Sequence, residues 1–184
     1  MKKLLLIALI AVGFVFNSHA QDTKFWLKVG LNFANIVGSD VENVSSITSL
    51  HFGGFAEFSL SEKFSLQPEL VYSAQGTKQS NIKLKLNYLN LPVLAKYYVS
   101  NNFSLESGPQ LGFLLSAKNG GNDLKDELES TDFSWAFGLG YQLESGLGFA
   151  ARYNLGLSSI AKDFEGESSE VKNFVIQLSV AYTF

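Results

Sequence analysis

The chain has 184 residues, no cysteine, and 14 basic against 17 acidic side chains. The absence of cysteine excludes a disulfide framework, a thiolate metal site and a cysteine nucleophile. The charges form no basic stripe, which argues against nucleic acid as a partner.

Residues 1–20 have the layout of a secretory signal peptide. Lys2-Lys3 precedes an apolar run from Leu4 to Phe16, and Ser18-His19-Ala20 ends in a small-x-small cleavage pattern. The run is too short to be a comfortable membrane-spanning helix. We therefore expect export through the Sec pathway and a mature domain of residues 21–184, which has 12 basic and 17 acidic side chains and a net charge of −5.

The rest of the chain predicts eight strands, because apolar residues recur with a period of two from Lys24 onward. In the last strand, from Asn173 to Phe184, the even-numbered residues form an almost wholly apolar row. Between the first and the last strand we place six more, at roughly 49–60, 64–76, 86–99, 103–116, 132–144 and 147–158. Each is long enough to cross a bilayer with the usual tilt.

The predicted connections alternate in length. Ser61-Glu62-Lys63, Ser100-Asn101-Asn102 and Ser145-Gly146 are short turns, whereas 35–48, 77–85, 117–131 and 159–170 are long polar loops. Outer-membrane barrels have this arrangement, with short turns in the periplasm and long loops outside the cell. The sequence therefore predicts an all-β fold, an eight-stranded antiparallel up-and-down transmembrane barrel.

The direction of the large apolar side chains distinguishes a membrane barrel from a soluble barrel. Phe, Leu and Tyr crowd one face with almost no charge, whereas the other face carries glycines, amides and scattered ions. A soluble barrel would place its large apolar groups inside. We therefore favour the bacterial outer membrane over the alternative, a soluble periplasmic binding barrel of the lipocalin kind.

Six charges lie on the less apolar face, one on each of six strands. We call them the lumen ion cluster: Lys28, Glu57, Glu69, Lys96, Glu106 and Arg152. Three acids and three bases in one layer can neutralise one another, with Gln67, Gln110 and Gln142 as hydrogen-bonding neighbours. We expect a plug of paired side chains, since eight-stranded barrels have filled interiors. The alternative is a narrow channel or gate.

Several motifs resemble PorT-type outer-membrane β-barrel proteins. They are 53–58 (GGFAEF), 64–73 (FSLQPELVYS) with Gly76, 88–97 (YLNLPVLAKY), 108–112 (GPQLG) and 152–157 (RYNLGL), and together they span the mature chain. The family often has an acid at the position of Asn90. The resemblance implies an eight-stranded membrane barrel and offers no catalytic residues. The family's eponymous member is linked to secretion, so a structural, binding or secretion-accessory role is the expectation.

Catalytic constellations are not recognisable. His51, the one histidine of the mature chain, has no acid or nucleophile placed with it, and we expect it near the outer end of its strand as an interface or loop-packing residue. Glu57 and Glu69 suggest an acid pair, but Lys96 and Arg152 favour a salt-bridge network. We expect no enzyme activity, cofactor or metal.

The outer loops and the closing strand suggest partners. Lys78, Lys83 and Lys85 form a basic loop suited to lipid phosphates, so lipid and lipopolysaccharide are expected partners. Tyr182 and Phe184 resemble the C-terminal signal that barrel-assembly machinery recognises. The acidic loops, by contrast, are expected to be solvated: Asp123, Asp126, Glu127 and Glu129, then Asp163, Glu165, Glu167 and Glu170.

Overall fold

A computed structural model describes residues 23–38, 44–79, 82–162 and 170–183. Eight long strands account for most of them: β1 (Thr23–Gly38), β2 (Val44–Ser59), β3 (Phe64–Gln79), β4 (Ile82–Tyr98), β5 (Phe103–Asn119), β6 (Thr131–Gln142), β7 (Leu147–Gly156) and β8 (Val171–Thr183). Between β5 and β6 the chain forms a two-residue strand, Asn122–Asp123, and a short 3-10 helix, Lys125–Glu127. In these ranges no helix is long and apolar enough to cross a membrane.

Every long strand pairs in antiparallel fashion with its neighbours in the chain, and β1 pairs with β8 to close the sheet. The closing register runs from Trp26 opposite Thr183 to Gly38 opposite Val171. The fold is therefore a closed, eight-stranded, up-and-down barrel, which confirms the predicted fold class. Closure leaves no free sheet edge along the paired segments, which is what a strand protein in a bilayer requires.

Side chains alternate between lipid side and lumen as predicted. Phe25, Leu27 and Val29 of β1 are more than half exposed, whereas Trp26 and Lys28 between them are buried. A soluble barrel would show the opposite arrangement. Phe58 departs from the alternation, because it is only 7% exposed although its neighbour Glu57 is also buried.

The strands extend farther on the loop side than predicted. β2 begins at Val44 rather than 49, and the β3–β4 hairpin continues to the pair Gln79 and Ile82 instead of opening at 77–85. Above the apolar part of the bilayer the outward face of a hairpin meets polar surroundings, so the hydrophobic alternation that predicts a strand weakens there. Between the described strands only 39–43 and 80–81 remain of the first two predicted loops, and both ranges lie outside the described residues.

The short turns are locally encoded. Ser61 and Ser100 accept backbone hydrogen bonds from Phe64 and Phe103, each at 3.2 Å, three residues along. Gly146, in the turn between β6 and β7, has a φ of +85°, a conformation that favours glycine. Following the rule for outer-membrane barrels, we call the turn side the periplasmic end and the loop side the outer end.

The predicted signal peptide, residues 1–20, and the terminal Phe184 lie outside the described residues.

Candidate functional site

The lumen holds all six members of the ion cluster. They come from six different strands, and each is at most 7% exposed. The structure brings them into two neutral groups: Lys28, Glu69, Arg152 and Glu106 in one, and Lys96 with Glu57 in the other. Pairing of this kind is what allows ions to remain charged away from water.

Glu69 is the centre of the larger group. Both nitrogens of the Arg152 fork donate to it, Nη1 to Oε2 at 3.0 Å and Nη2 to Oε1 at 2.8 Å. Lys28 donates to Oε2, and Gln67 donates to Oε1 at 2.6 Å. Four donors occupy the acceptor positions that an ionised carboxylate offers, which compensates for its complete burial.

Arg152 reaches across the full width of the barrel. It lies on β7 and Glu69 on β3, and four strand positions in an eight-stranded ring separate opposite walls. The same Nη2 also donates to Glu106 of β5 at 2.9 Å. Gly140 leaves room for this carboxylate, because a Cβ there would lie 2.9 Å from Glu106 Oε1. One guanidinium thus ties three walls together.

The smaller group lies nearer the periplasmic end. Lys96 Nζ donates to Glu57 Oε2 at 3.0 Å, and the Tyr98 hydroxyl donates to Oε1 of the same carboxylate. Trp26 and Phe55 stack beside it with ring centroids 5.6 Å apart. Between these rings and the larger group, the lumen retains a cavity of about 40 Å³. That volume holds very few water molecules, since each occupies about 30 Å³ in the liquid.

His51 lies in the middle of the lumen, which corrects the prediction that it sits near the outer end of its strand as an interface or loop-packing residue. Its side chain is completely buried. Nδ1 donates to Asn32 Oδ1 at 2.8 Å, and Nε2 shares a hydrogen bond with Ser179 Oγ at 2.8 Å. The prediction failed because β2 begins five residues earlier than expected, which moves His51 to mid-strand.

A second cross-lumen contact lies toward the outer end. Asn173 of β8 donates to Asp132 Oδ2 at 3.1 Å and to the Tyr88 hydroxyl of β4, on the opposite wall, at 3.4 Å. Ser158 donates to the other oxygen of Asp132 at 3.3 Å. Asp132 is not among the predicted site residues, because its only signal in the sequence is a single acid at a strand start.

Above this contact an apolar cluster covers the outer end. We call it the outer cap, and it comprises Ile36, Leu86, Tyr88, Leu114, Ala117 and Ile160. Leu124 and Leu128 of the β5–β6 connection pack against it. The loop segment carrying Ile160 is held by backbone bonds from Glu129 N to Ile160 O at 2.9 Å and from Ile160 N to Val171 O at 2.8 Å. The sequence predicts solvated loops here, whereas in the structure residues of both connections pack over the barrel.

The remaining predicted residues have simpler surroundings. Gln110 donates to Ser134 Oγ at 3.0 Å rather than to an ion, and Gln142 uses its backbone carbonyl to accept from Asn102. Tyr182 is 46% exposed on the lipid side at the periplasmic end. Within the described ranges no three His, Asp or Glu side chains are grouped to hold a metal ion. Asp163, Glu165 and Glu167 fall outside those ranges.

Two solved structures of bacterial proteins are similar to this chain over most of its length. The chain is similar to Ail, the attachment invasion locus protein of Yersinia pestis, crystallised with the heparin analogue sucrose octasulfate: 14% identity, a TM-score of 0.55, and coverage of 89% of this chain and 100% of Ail. It is also similar to Neisserial surface protein A, with 13% identity, a TM-score of 0.54 and the same coverage. At these identities the likeness concerns the fold alone.

No curated protein sequence matches this chain. A family model does: the outer membrane protein beta-barrel domain matches residues 8–162 of the 184. Together with the closed barrel and its apolar outward face, the match makes the protein an integral protein of the bacterial outer membrane. The chain belongs to the outer membrane protein beta-barrel domain family.

Proposed function

We propose that this protein is a non-enzymatic outer-membrane barrel whose lumen is closed by its own side chains, with a structural, binding or secretion-accessory role. The observation that carries the proposal is the bidentate contact between Arg152 and Glu69 on opposite walls. A solute passing along the axis must break that contact. Leaving either partner buried and alone costs about 3–5 kcal/mol, so the contact opposes passage.

Two further features support closure. Nearer the outer end, Asn173 of β8 is hydrogen-bonded to Tyr88 of β4. These two strands also lie on opposite walls, next to β7 and β3. The outer cap then adds apolar side chains with almost no exposure, Leu86 and Ile160 among them. An ion entering from outside thus meets an apolar layer before it reaches any compensating charge.

Planar-bilayer conductance tests the closed lumen. For the native protein we expect no steady single-channel steps. The variant Lys28→Ala, Glu69→Ala, Glu106→Ala and Arg152→Ala removes all four members of the larger ion group, so none of them stays buried without its partner, and we expect it to conduct. Steady steps from the native protein contradict closure and favour a channel.

A narrow channel is the second candidate, and unpartnered polar atoms favour it. Gln67 Oε1, Gln75 Oε1, Asn90 Nδ2 and Asn154 Oδ1 face the interior without a protein hydrogen bond. Buried atoms of this kind are places for water. A water file without ion passage would swell vesicles that contain the protein in an osmotic gradient while giving no electrical steps, which separates water transport from ion conduction.

A non-enzymatic role is supported by the surroundings of His51. Both ring nitrogens are engaged, by Asn32 and Ser179, and neither partner is a carboxylate. Ser-His-Asp chemistry needs a histidine that is oriented by an acid and faces a nucleophile. Screening the purified protein for hydrolysis of lipid and peptide esters tests this, and turnover lost in His51→Ala contradicts it.

Within the family we propose that the chain is of the PorT type. Glu57, Glu69, Lys96 and Arg152 lie in the motifs that carry this resemblance, and their side chains form two ion pairs in the lumen, Lys96 with Glu57 and Arg152 with Glu69. Asn90, where PorT-type sequences often have an acid, also points inward and is 2% exposed. Asn90→Asp therefore tests the assignment: if the lumen is built on the PorT pattern, the variant folds with native stability.

We further propose Sec export, assembly by the barrel-assembly machinery and an unidentified protein partner at the outer loops or periplasmic turns. Ail, which shares the fold, was crystallised with a sulfated ligand, and this supports a binding role at the outer surface. Photo-cross-linkers placed at exposed Asn101 and Asp126 would capture partners on the two sides, and capture at neither position contradicts a partner.

A further inference from the structure

Four lysines form a charged patch on the lipid-facing side of the barrel, at the outer end of β3, β4 and β5. We call Lys78, Lys83, Lys85 and Lys118 the lysine patch. Lys78 is directly opposite Lys83 in the β3–β4 register, and Lys85 is directly opposite Lys118 in the β4–β5 register. The patch thus consists of two like-charged cross-strand pairs.

The patch faces outward, as its neighbours in the strands show. Along β4 the even-numbered residues from Leu86 to Lys96 are buried in the lumen, so Lys83 and Lys85 belong to the opposite, outward row. Lys78 and Lys118 share that row because each is the register partner of one of them. Lys83, Lys85 and Lys118 are exposed, and Lys78 is half-buried.

The height of the patch matches the edge of the apolar band. The outward row of β4 is apolar from Tyr97 to Leu89, and Lys85 follows after Asn87. At about 3.3 Å per residue and a tilt of about 40°, Lys85 lies roughly 30 Å above Tyr97 along the membrane normal. An apolar band is about 25 Å tall, so Lys85 and its neighbours lie at headgroup level in the outer leaflet.

The four charges are not neutralised within the described residues. The one surface ion pair there joins Lys172 to Glu170 at 2.9 Å, and it belongs to β8. The nearest acid in the strand register is Asp123, opposite Lys118, and its carboxylate accepts from the Lys125 backbone at 3.0 Å. Like charges directly opposite each other on neighbouring strands destabilise a sheet. An anion bound between them would remove that repulsion.

We propose that the lysine patch binds the phosphate groups of lipopolysaccharide. The outer leaflet presents lipid A phosphates at the height where the patch lies, and three exposed ammonium groups with a fourth half-buried one supply compact charge for phosphate. The outward rows of β3 to β5 below the patch offer Tyr72, Leu91 and Phe113 to the acyl chains. This site does not depend on whether the lumen is closed.

The test compares two variants of equal charge in protein purified from outer membranes in detergent. One replaces the lysine patch by glutamine; the control replaces Lys63, Lys125, Lys162 and Lys172, which lie outside it. The probes are diphosphorylated lipid A and lipid A stripped of phosphate. We expect the patch variant to bind the phosphorylated probe at least about tenfold more weakly, which is about 1.4 kcal/mol in binding free energy, and the control to bind like the native protein.

The unfolding temperature is a second readout, and in the absence of lipid A we expect the patch variant to have the higher value. Without lipid A the patch variant should unfold at a higher temperature than the native protein, because the cross-strand repulsion is gone; with lipid A the native protein should gain stability that the variant does not. If the fourfold variant does not assemble, Lys78→Gln with Lys83→Gln and Lys85→Gln with Lys118→Gln are measured instead. Equal binding by patch variants and control, or equal binding of both probes, overturns the proposal.

Discussion

Glu69 and Arg152 illustrate how single residues keep charge inside a narrow barrel. The carboxylate receives four donors and the guanidinium reaches two carboxylates, so little of the hydrogen-bonding capacity of the group is wasted. Of the three guanidinium nitrogens of Arg152, only Nε lacks a hydrogen-bond partner. A planar fork suits this task better than an ammonium group, because it binds one carboxylate with two bonds and still contacts a second.

Arg152→Met should destabilise the barrel strongly, because it leaves Glu69 and Glu106 with one lysine between them. Breaking a buried pair from one side costs about 3–5 kcal/mol in the free energy of unfolding. Lys172→Met is the matched control, since it breaks the exposed pair with Glu170, where the expected loss is below about 1 kcal/mol. Urea unfolding in lipid vesicles measures both. Similar losses from the two variants would contradict a role of the lumen pair in stability.

At the scale of the strand, the bilayer determines what the sequence can predict. Between Phe25 and Phe33, or between Phe133 and Tyr141, one face meets lipid and the other the lumen, so the period of two is strong and the strand is predicted. At 44–48 and 82–85 no acyl chains impose the alternation, and the predicted strands began too late. His51 was predicted near the end of its strand because the start of β2 was predicted five residues too late.

The outer cap shows a different limit. Ile160 is one apolar residue in a polar connection, and periodicity says nothing about a single residue. Its burial depends on the β5–β6 and β7–β8 connections meeting over the barrel mouth, where Leu128 pairs with Ala161. A contact between segments this distant in sequence cannot be predicted from the local pattern of either segment.

Ile160→Asp should detach this connection without unfolding the barrel. The charge would be buried in the outer cap, so we expect the segment near Lys162 to open and trypsin to cleave there at least about tenfold faster than in the native protein. Ile82→Asp is the control, because Ile82 is 54% exposed at the same end and outside the cap. Cleavage that is equally slow in both variants would contradict an anchoring role for Ile160.

For the whole molecule, the sequence predicted the barrel and the layer of charges but not which ions pair. Alternation alone brings the six side chains of the ion cluster into the lumen. Their partners depend on how far the strands are staggered around the barrel, because stagger decides which residues share a level. That is why Lys96, opposite Glu106 in the β4–β5 register, instead donates to Glu57 of β2.

Assembly in the cell is the prediction that belongs to the whole chain. The sequence predicts a terminal aromatic signal at Tyr182 and Phe184, and Tyr182 lies on the lipid side. Tyr182→Ala with Phe184→Ala should lower the amount of folded barrel in the outer membrane several-fold, while spontaneous insertion of the purified protein into vesicles changes little. Phe174→Ala, in the same outward row but distant from the terminus, should leave both measurements nearly unchanged. Slower insertion in vesicles as well would assign the residues to folding itself.

The contact between Arg152 and Glu69 also bears on the lifetime of the folded protein. The two residues are 83 positions apart in the chain and belong to opposite walls, so they meet only after β1 has joined β8. We expect an interaction that forms only after closure to leave the folding rate unchanged, whereas it must be lost before the barrel can reopen. We therefore expect the contact between Arg152 and Glu69 to slow unfolding and to leave the folding rate unchanged.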